Sequence, residues 1–105
     1  MKLEKLKKKL SKYDRKDIIV TDHAKLRASF RKIDLEEVKS NILDPKKLVY
    51  AKEQESEKED ESKYECYFAY SKIHCHKYVL TINQKIIIVT VININRDWQK
   101  IIERK

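Results

Sequence analysis

"IIIVTVI", residues 86–92, offers apolar side chains to both faces of an extended chain. A half-buried strand alternates wet and dry. This one does not, which predicts a place inside a sheet rather than at its rim. Working outward, Asn83-Gln84 just before it predicts a tight hairpin turn. Upstream of that turn Tyr78, Leu80 and Ile82 share one strand face, and Tyr64, Cys66, Phe68 and Tyr70 share a face of another. "KKLVYAK", 46–52, and the short β-branched run "DIIVT", 17–21, read as further strands. Downstream, "NRDWQKIIERK" predicts a short helix with Trp98, Ile101 and Ile102 turned inward.

Helical spacing dominates the first part of the chain. Leu3, Leu6, Leu10 and Tyr13 recur every three or four residues, with lysines between them, which predicts a basic amphipathic helix within residues 1–16. Asp22 is placed to cap a second helix running from His23 to about Lys32. Asp34 and Glu37 have capping-box spacing at the start of a third, whose buried stripe is Leu35, Val38, Ile42 and Leu43 and which Asp44-Pro45 ends. The expected architecture is a single α+β domain over residues 1–105. Its N-terminal helices pack on one face of an antiparallel sheet of about four strands. Residues 53–62, rich in Glu and lacking an apolar anchor, are expected to form a charged mobile loop.

Composition narrows the function classes. The chain carries a formal charge of +8 and a pI near 9.4, which favours polyanionic partners, either nucleic acid or an acidic protein. Eight cations fall within residues 1–16 against only Glu4 and Asp14. No glycine is present, so a glycine-rich phosphate loop is excluded. There is no apolar run suited to a signal peptide or a membrane span, so a cytoplasmic protein with reduced Cys66 and Cys75 is expected. "HCH", 74–76, puts two histidines on one strand face and the cysteine on the other, so no metal site or other cofactor is expected.

One set of motifs resembles a known group. His23-Ala24, Arg27, Arg31-Lys32-Ile33, Ile88-Val89-Thr90-Val91 and Trp98 together resemble an uncharacterised small-domain family grouped with the RelE/ParE toxin superfamily. The likeness runs over about residues 18–100. Two positions depart from the family pattern: Ile92 stands where an aromatic would follow Val91, and Lys32 stands where glycine is usual. The resemblance implies a RelE-like core over residues 17–100. It also implies a toxin-type protein, with a possible antitoxin partner, whose wider relatives include ribosome-dependent messenger-RNA endonucleases, gyrase poisons and members without established activity. Fold kinship does not transmit an activity.

Cleaving RNA through its 2′-hydroxyl without metal needs a base, cations for the phosphate, and an acid for the leaving oxygen. The candidates are His23, Arg27, His76 and Tyr78 for catalysis. Arg31, Lys7, Lys8, Lys12, His74 and Lys77 are the candidates for holding RNA, on the ribosome or free. Plainer readings use the same residues. His23, Arg27 and Arg31 could be a wet helix face salt-bridged to Asp22 or Glu36, and His23 could bond the start of its own helix. The chain could then be a non-catalytic binding module, or a subunit that homodimerises through the Leu3/Leu6/Leu10 stripe.

Overall fold

The computed structural model describes residues 3–56 and 58–103. Among them are four α-helices, α1 (Leu3–Leu10), α2 (Asp22–Arg31), α3 (Leu35–Leu43) and α4 (Trp98–Glu103), and five strands. The strands are β1 (Ile18–Val20), β2 (Leu48–Gln54), β3 (Ser62–Ala69), β4 (Cys75–Ile82) and β5 (Ile86–Ile94). They form one sheet in the order β1-β5-β4-β3-β2. The α+β class is as expected, but the sheet is mixed and has five strands. β1 runs parallel to β5, pairing Ile18 with Ile86 and Val20 with Ile88, while the remaining pairs are antiparallel.

Burial on both faces explains the position of β5. Ile86, Ile88 and Val91 face the N-terminal helices, in a core with Leu6, Leu10, Ala24, Ala28, Val38, Ile42, Phe68 and Tyr78. Ile92 and Ile94 face the other way, where Tyr67, Cys75 and the short helix α4 pack, with Trp98, Ile101 and Ile102 half-buried as the spacing predicts. A strand dry on both sides needs a hydrogen-bonded neighbour at each edge. β4 supplies one and β1 the other.

Local chemistry sets several boundaries differently from the sequence reading. Thr21, not Asp22, caps α2. It follows β1 in extended conformation, and its hydroxyl accepts from Ala24 N at 3.0 Å while donating to the Val89 carbonyl at 3.2 Å. The turn between β4 and β5 takes three residues, with Ile82 paired to Ile86 and Asn83 Oδ1 accepting from Lys85 N. The basic helix stops at Leu10, and Met1 and Lys2 lie outside the described residues. Its leucines are no dimer stripe, because Leu6 and Leu10 are fully buried in the chain's own core. The acidic stretch is shorter as a loop than expected. β2 and β3 zip through Glu53–Tyr64 and Gln54–Lys63, drawn by burial of the Tyr64 ring. Of that stretch, Glu57 lies outside the described residues.

Lys32 is the described non-glycine residue with positive φ, at φ 54° and ψ 43°. It ends α2 in a Schellman motif: Lys32 N donates to Ser29 O, and Ile33 N reaches back to Ala28 O at 2.9 Å. Ile33 is buried beside Ala28, which closes the motif with an apolar contact. An L-residue with a Cβ is disfavoured in this region by roughly 1–2 kcal/mol, partly offset in glycine by chain entropy. Lys32→Gly is therefore expected to stabilise the fold by about 0.5–1 kcal/mol, and Lys32→Ala is not. The melting temperature should then rise by about 2–8 °C. An unchanged or lowered melting point would contradict it.

Candidate functional site

Between the far end of the sheet and helix α3 lies a group of polar side chains in an otherwise apolar layer. His76 and Tyr78 come from β4, Tyr70 from just after β3, and Glu37 and Asn41 from one face of α3, four residues apart. Asn41 is buried, and its Nδ2 donates to the Tyr70 hydroxyl at 2.7 Å and to the Tyr78 hydroxyl at 3.1 Å. Tyr70 donates to the Glu37 carboxylate. Nδ1 of His76 is 2.8 Å from the Tyr78 hydroxyl and 3.3 Å from that of Tyr70. The rings meet edge to face or tilted: His76 lies 4.8 Å from Tyr70 and 5.8 Å from His74 between centroids, and Lys47 Nζ sits over Tyr70.

Donor counting leaves two proton arrangements. Asn41 fills an acceptor position on each phenol, and Tyr70 gives its hydrogen to Glu37. Tyr78 then has one hydrogen to give. It goes either to Nδ1 of His76, which leaves Nε2 protonated, or to Tyr70, whose hydroxyl it also contacts. In the second case His76 donates from Nδ1 to Tyr78, and Nε2 carries a free lone pair. The two arrangements differ in the imidazole tautomer, and the direction in which the Tyr78 hydroxyl points goes with it: towards Tyr70, it favours the form whose Nε2 is free to accept a proton. Nε2 itself makes no hydrogen bond among the described residues.

Burial keeps the imidazole and both phenols neutral. His76 is 5% exposed, and loss of solvent lowers its pKa against a smaller opposing pull from Glu37. Burial, then the hydrogen bond to Glu37, pushes Tyr70 up to about 12. Tyr78 is pushed up further, again mainly by burial. At neutral pH the phenols are intact donors and the imidazole is uncharged. Because the unfolded chain binds a proton on this histidine that the folded chain refuses, stability is expected to fall as pH drops below 6.5 towards the lowered folded value. His76→Gln should flatten the melting-temperature profile in that window. The lowered carboxyls of Glu36 and Asp17, held down by hydrogen bonds from Lys39 and from the Asp14 backbone, act only below pH 4.5. A profile that is flat for the wild type above pH 5 would overturn the assignment.

Asn93 completes the site, and a bulge puts it there. β5 has an extra residue between Ile88 and Thr90, so the facing parity reverses along the strand. Val91 and Asn93 thus look towards the helices, and Asn93 lies directly opposite His76. Its Oδ1 is buried without a hydrogen-bond partner. A buried acceptor left unpaired costs stability, and it lies next to an imidazole with an unbonded nitrogen. The same bulge turns Ile92 onto the opposite face, against the Tyr67 and Trp98 cluster. An aromatic at 92 would therefore not face His76.

The sequence candidates fall into separate places. His76 and Tyr78 are in the network, and His74, exposed in the turn before β4, is beside it. Arg31 is half-buried and donates from Nη1 to the Val91 carbonyl at 2.5 Å, which ties the end of α2 to β5 two residues from Asn93. His23 and Arg27 are exposed on α2. Among the described residues none of His23, Arg27 and Arg31 is in an ion pair. Glu36 is held instead by Arg15 and Lys39, and Thr21 rather than His23 serves the helix start. Lys77 projects to the other sheet face, paired with Glu65 and lying over Tyr67. None of the N-terminal lysines takes part in the His76 network among the described residues. Lys7 pairs with Glu4, Lys8 and Lys12 are exposed, and Lys9 lines a cavity of about 500 Å³ with Asp60, Asn83 and Lys85, at the hairpin end of β4 and β5.

Sequence reasoning missed Glu37, taken for a capping-box residue, as well as Asn41 and Asn93. Asp34 caps α3 alone, bonding Glu36 N at 2.9 Å, which frees Glu37 to reach Tyr70. An Asn in mid-helix four residues after an acid, and an Asn breaking an isoleucine run, were the available signals. Trp98 braces the site from behind, donating to the Ser71 carbonyl at 2.6 Å in the turn that carries His74. Cys66 and Cys75 are free and buried on opposite sheet faces, the thiol of Cys66 pushed up to about 12 by desolvation. No three His, Cys, Asp or Glu side chains are grouped for a metal among the described residues, and no described helix is long and apolar enough to cross a membrane. Compared with known proteins, the chain matches no family model, no curated protein and no solved structure.

Proposed function

We propose that this protein binds RNA and cleaves it without a metal ion at the His76 face, as a toxin-type member of a RelE-like fold. One observation carries the reading: a polar chain runs inward from the exposed Glu37 through half-buried Tyr70 and buried Tyr78 and ends on an unbonded imidazole nitrogen, beside the unpartnered Oδ1 of Asn93. A fold of this size has no packing need for such a chain, and each member left imperfectly paired is a cost.

In the proposed reaction Nε2 of His76 takes the proton of a ribose 2′-hydroxyl, and the Tyr78–Tyr70–Glu37 chain orients the ring and disperses the resulting charge. The 2′-oxygen attacks the adjacent phosphorus, and the bond to the 5′-oxygen breaks. His74, exposed 5.8 Å from His76 between ring centroids, supplies the proton that the leaving oxygen takes. Products are a 2′,3′-cyclic phosphate and a 5′-hydroxyl. The charge of +8 supplies the general attraction for the phosphate chain.

The test is incubation of purified protein with RNA in EDTA, with and without ribosomes, reading the termini of the products. Cyclic-phosphate ends that persist in EDTA support the proposal. Salt-sensitive binding without cleavage would overturn the catalytic part and leave a binding module. Neither binding nor cleavage would overturn it entirely.

A further inference from the structure

The outer face of α2 carries the most exposed large apolar side chain of the described molecule. Phe30 is 75% exposed and Leu26, one turn earlier, is 56% exposed. Holding a phenyl ring in water is unfavourable, and nothing in the fold gains from it: Ala24 and Ala28 already seat the helix on the sheet. The ring is set among cations. Arg27 lies three residues before it and His23 seven before, so all share one helix face. Asp22 is the one acid on the helix. Neither Arg27 nor His23 is in an ion pair or hydrogen bond among the described residues. Phe30 also immediately precedes Arg31, whose clasp on Val91 fixes this end of α2 two residues along β5 from Asn93, the cross-strand partner of His76.

We infer that Phe30 is a stacking platform for an unpaired base of single-stranded RNA, with Arg27 and His23 holding the flanking phosphates. This inference rests on the RNA reading above and names its substrate class. An aromatic face interleaved with cations recognises exposed bases, since every base has a face to stack and every linkage a charge. A duplex hides its bases and offers this ring nothing. An acidic apolar protein segment would meet the same charges, but it would have no reason to distinguish strandedness.

The experiment is fluorescence anisotropy with a short 2′-O-methyl RNA, which binds without being cut, free or annealed to its complement. Wild type, Phe30→Ala and Phe30→Tyr are compared at one low salt concentration. Phe30→Ala is expected to weaken single-strand binding about 5- to 150-fold and to leave duplex binding unchanged. Phe30→Tyr, which keeps a stackable ring, should bind within about threefold of wild type. Circular dichroism should be unaltered, because the side chain contributes little to the core. If wild type binds the single strand and Phe30→Ala binds it equally well, the platform is overturned while the RNA reading stands. Equal losses on both RNAs, or a dimer that dissolves in Phe30→Ala, would also overturn it and assign the patch to charge or to protein contact. If wild type binds neither RNA, both readings fall together.

Discussion

His76→Gln is expected to slow metal-free RNA cleavage by about 100- to 10,000-fold while leaving the protein folded and able to bind RNA. Glutamine is close in size and can still accept from the Tyr78 hydroxyl, so the buried phenol keeps a partner. What is lost is a nitrogen that can take and return a proton. Binding, which draws on the cationic surface, should change far less than the rate. The cleavage rate should also fall on the acid side, as His76 gains its proton below pH 6.5, in the direction set by its lowered pKa. Tyr78→Phe breaks the chain without touching the reacting nitrogen, so it tests positioning. It should lower the rate less than His76→Gln and shift the acid limb. Single-turnover rates for the three proteins across pH decide the matter. Cleavage by His76→Gln at the wild-type rate would remove His76 from the chemistry, however well the network is formed.

The second large effect is on stability. Leu6→Ala and Leu10→Ala each remove a fully buried side chain from the contact between α1 and the sheet. Each is expected to cost about 2–5 kcal/mol, and together they approach the whole stability of a domain, about 5–15 kcal/mol. The double variant should be largely unfolded at room temperature, and each single variant should show a much lower urea midpoint. A stripe serving a partner instead would give the opposite pattern: normal midpoints and an altered molecular mass. Denaturation with light scattering on the same samples separates the two.

How much could be read from the chain differs between the fold and the site. The helices and strands announce themselves through local spacing. Leu3, Leu6 and Leu10, or Leu35, Val38 and Ile42, mark buried faces before any tertiary contact is considered. At Lys32 the backbone is left-handed, the conformation that glycine favours. His76 and Tyr78 were singled out by strand parity, which holds along β4 because that strand keeps its alternation. β5 does not keep it. One inserted residue, which no composition or period reveals, exchanges the faces of Ile92 and Asn93.

The sequence alone therefore determined the helices, the antiparallel strands, the apolar faces and the basic charge, because each follows from interactions between residues close in the chain. Only the tertiary structure decided that β1 joins the sheet in parallel beside β5, that Glu37 leaves its helix cap for Tyr70, and that Asn93 meets His76. Those outcomes depend on pairing register and on contacts between residues tens of positions apart. Register is fixed by the burial of whole faces at once, and local pattern does not specify it.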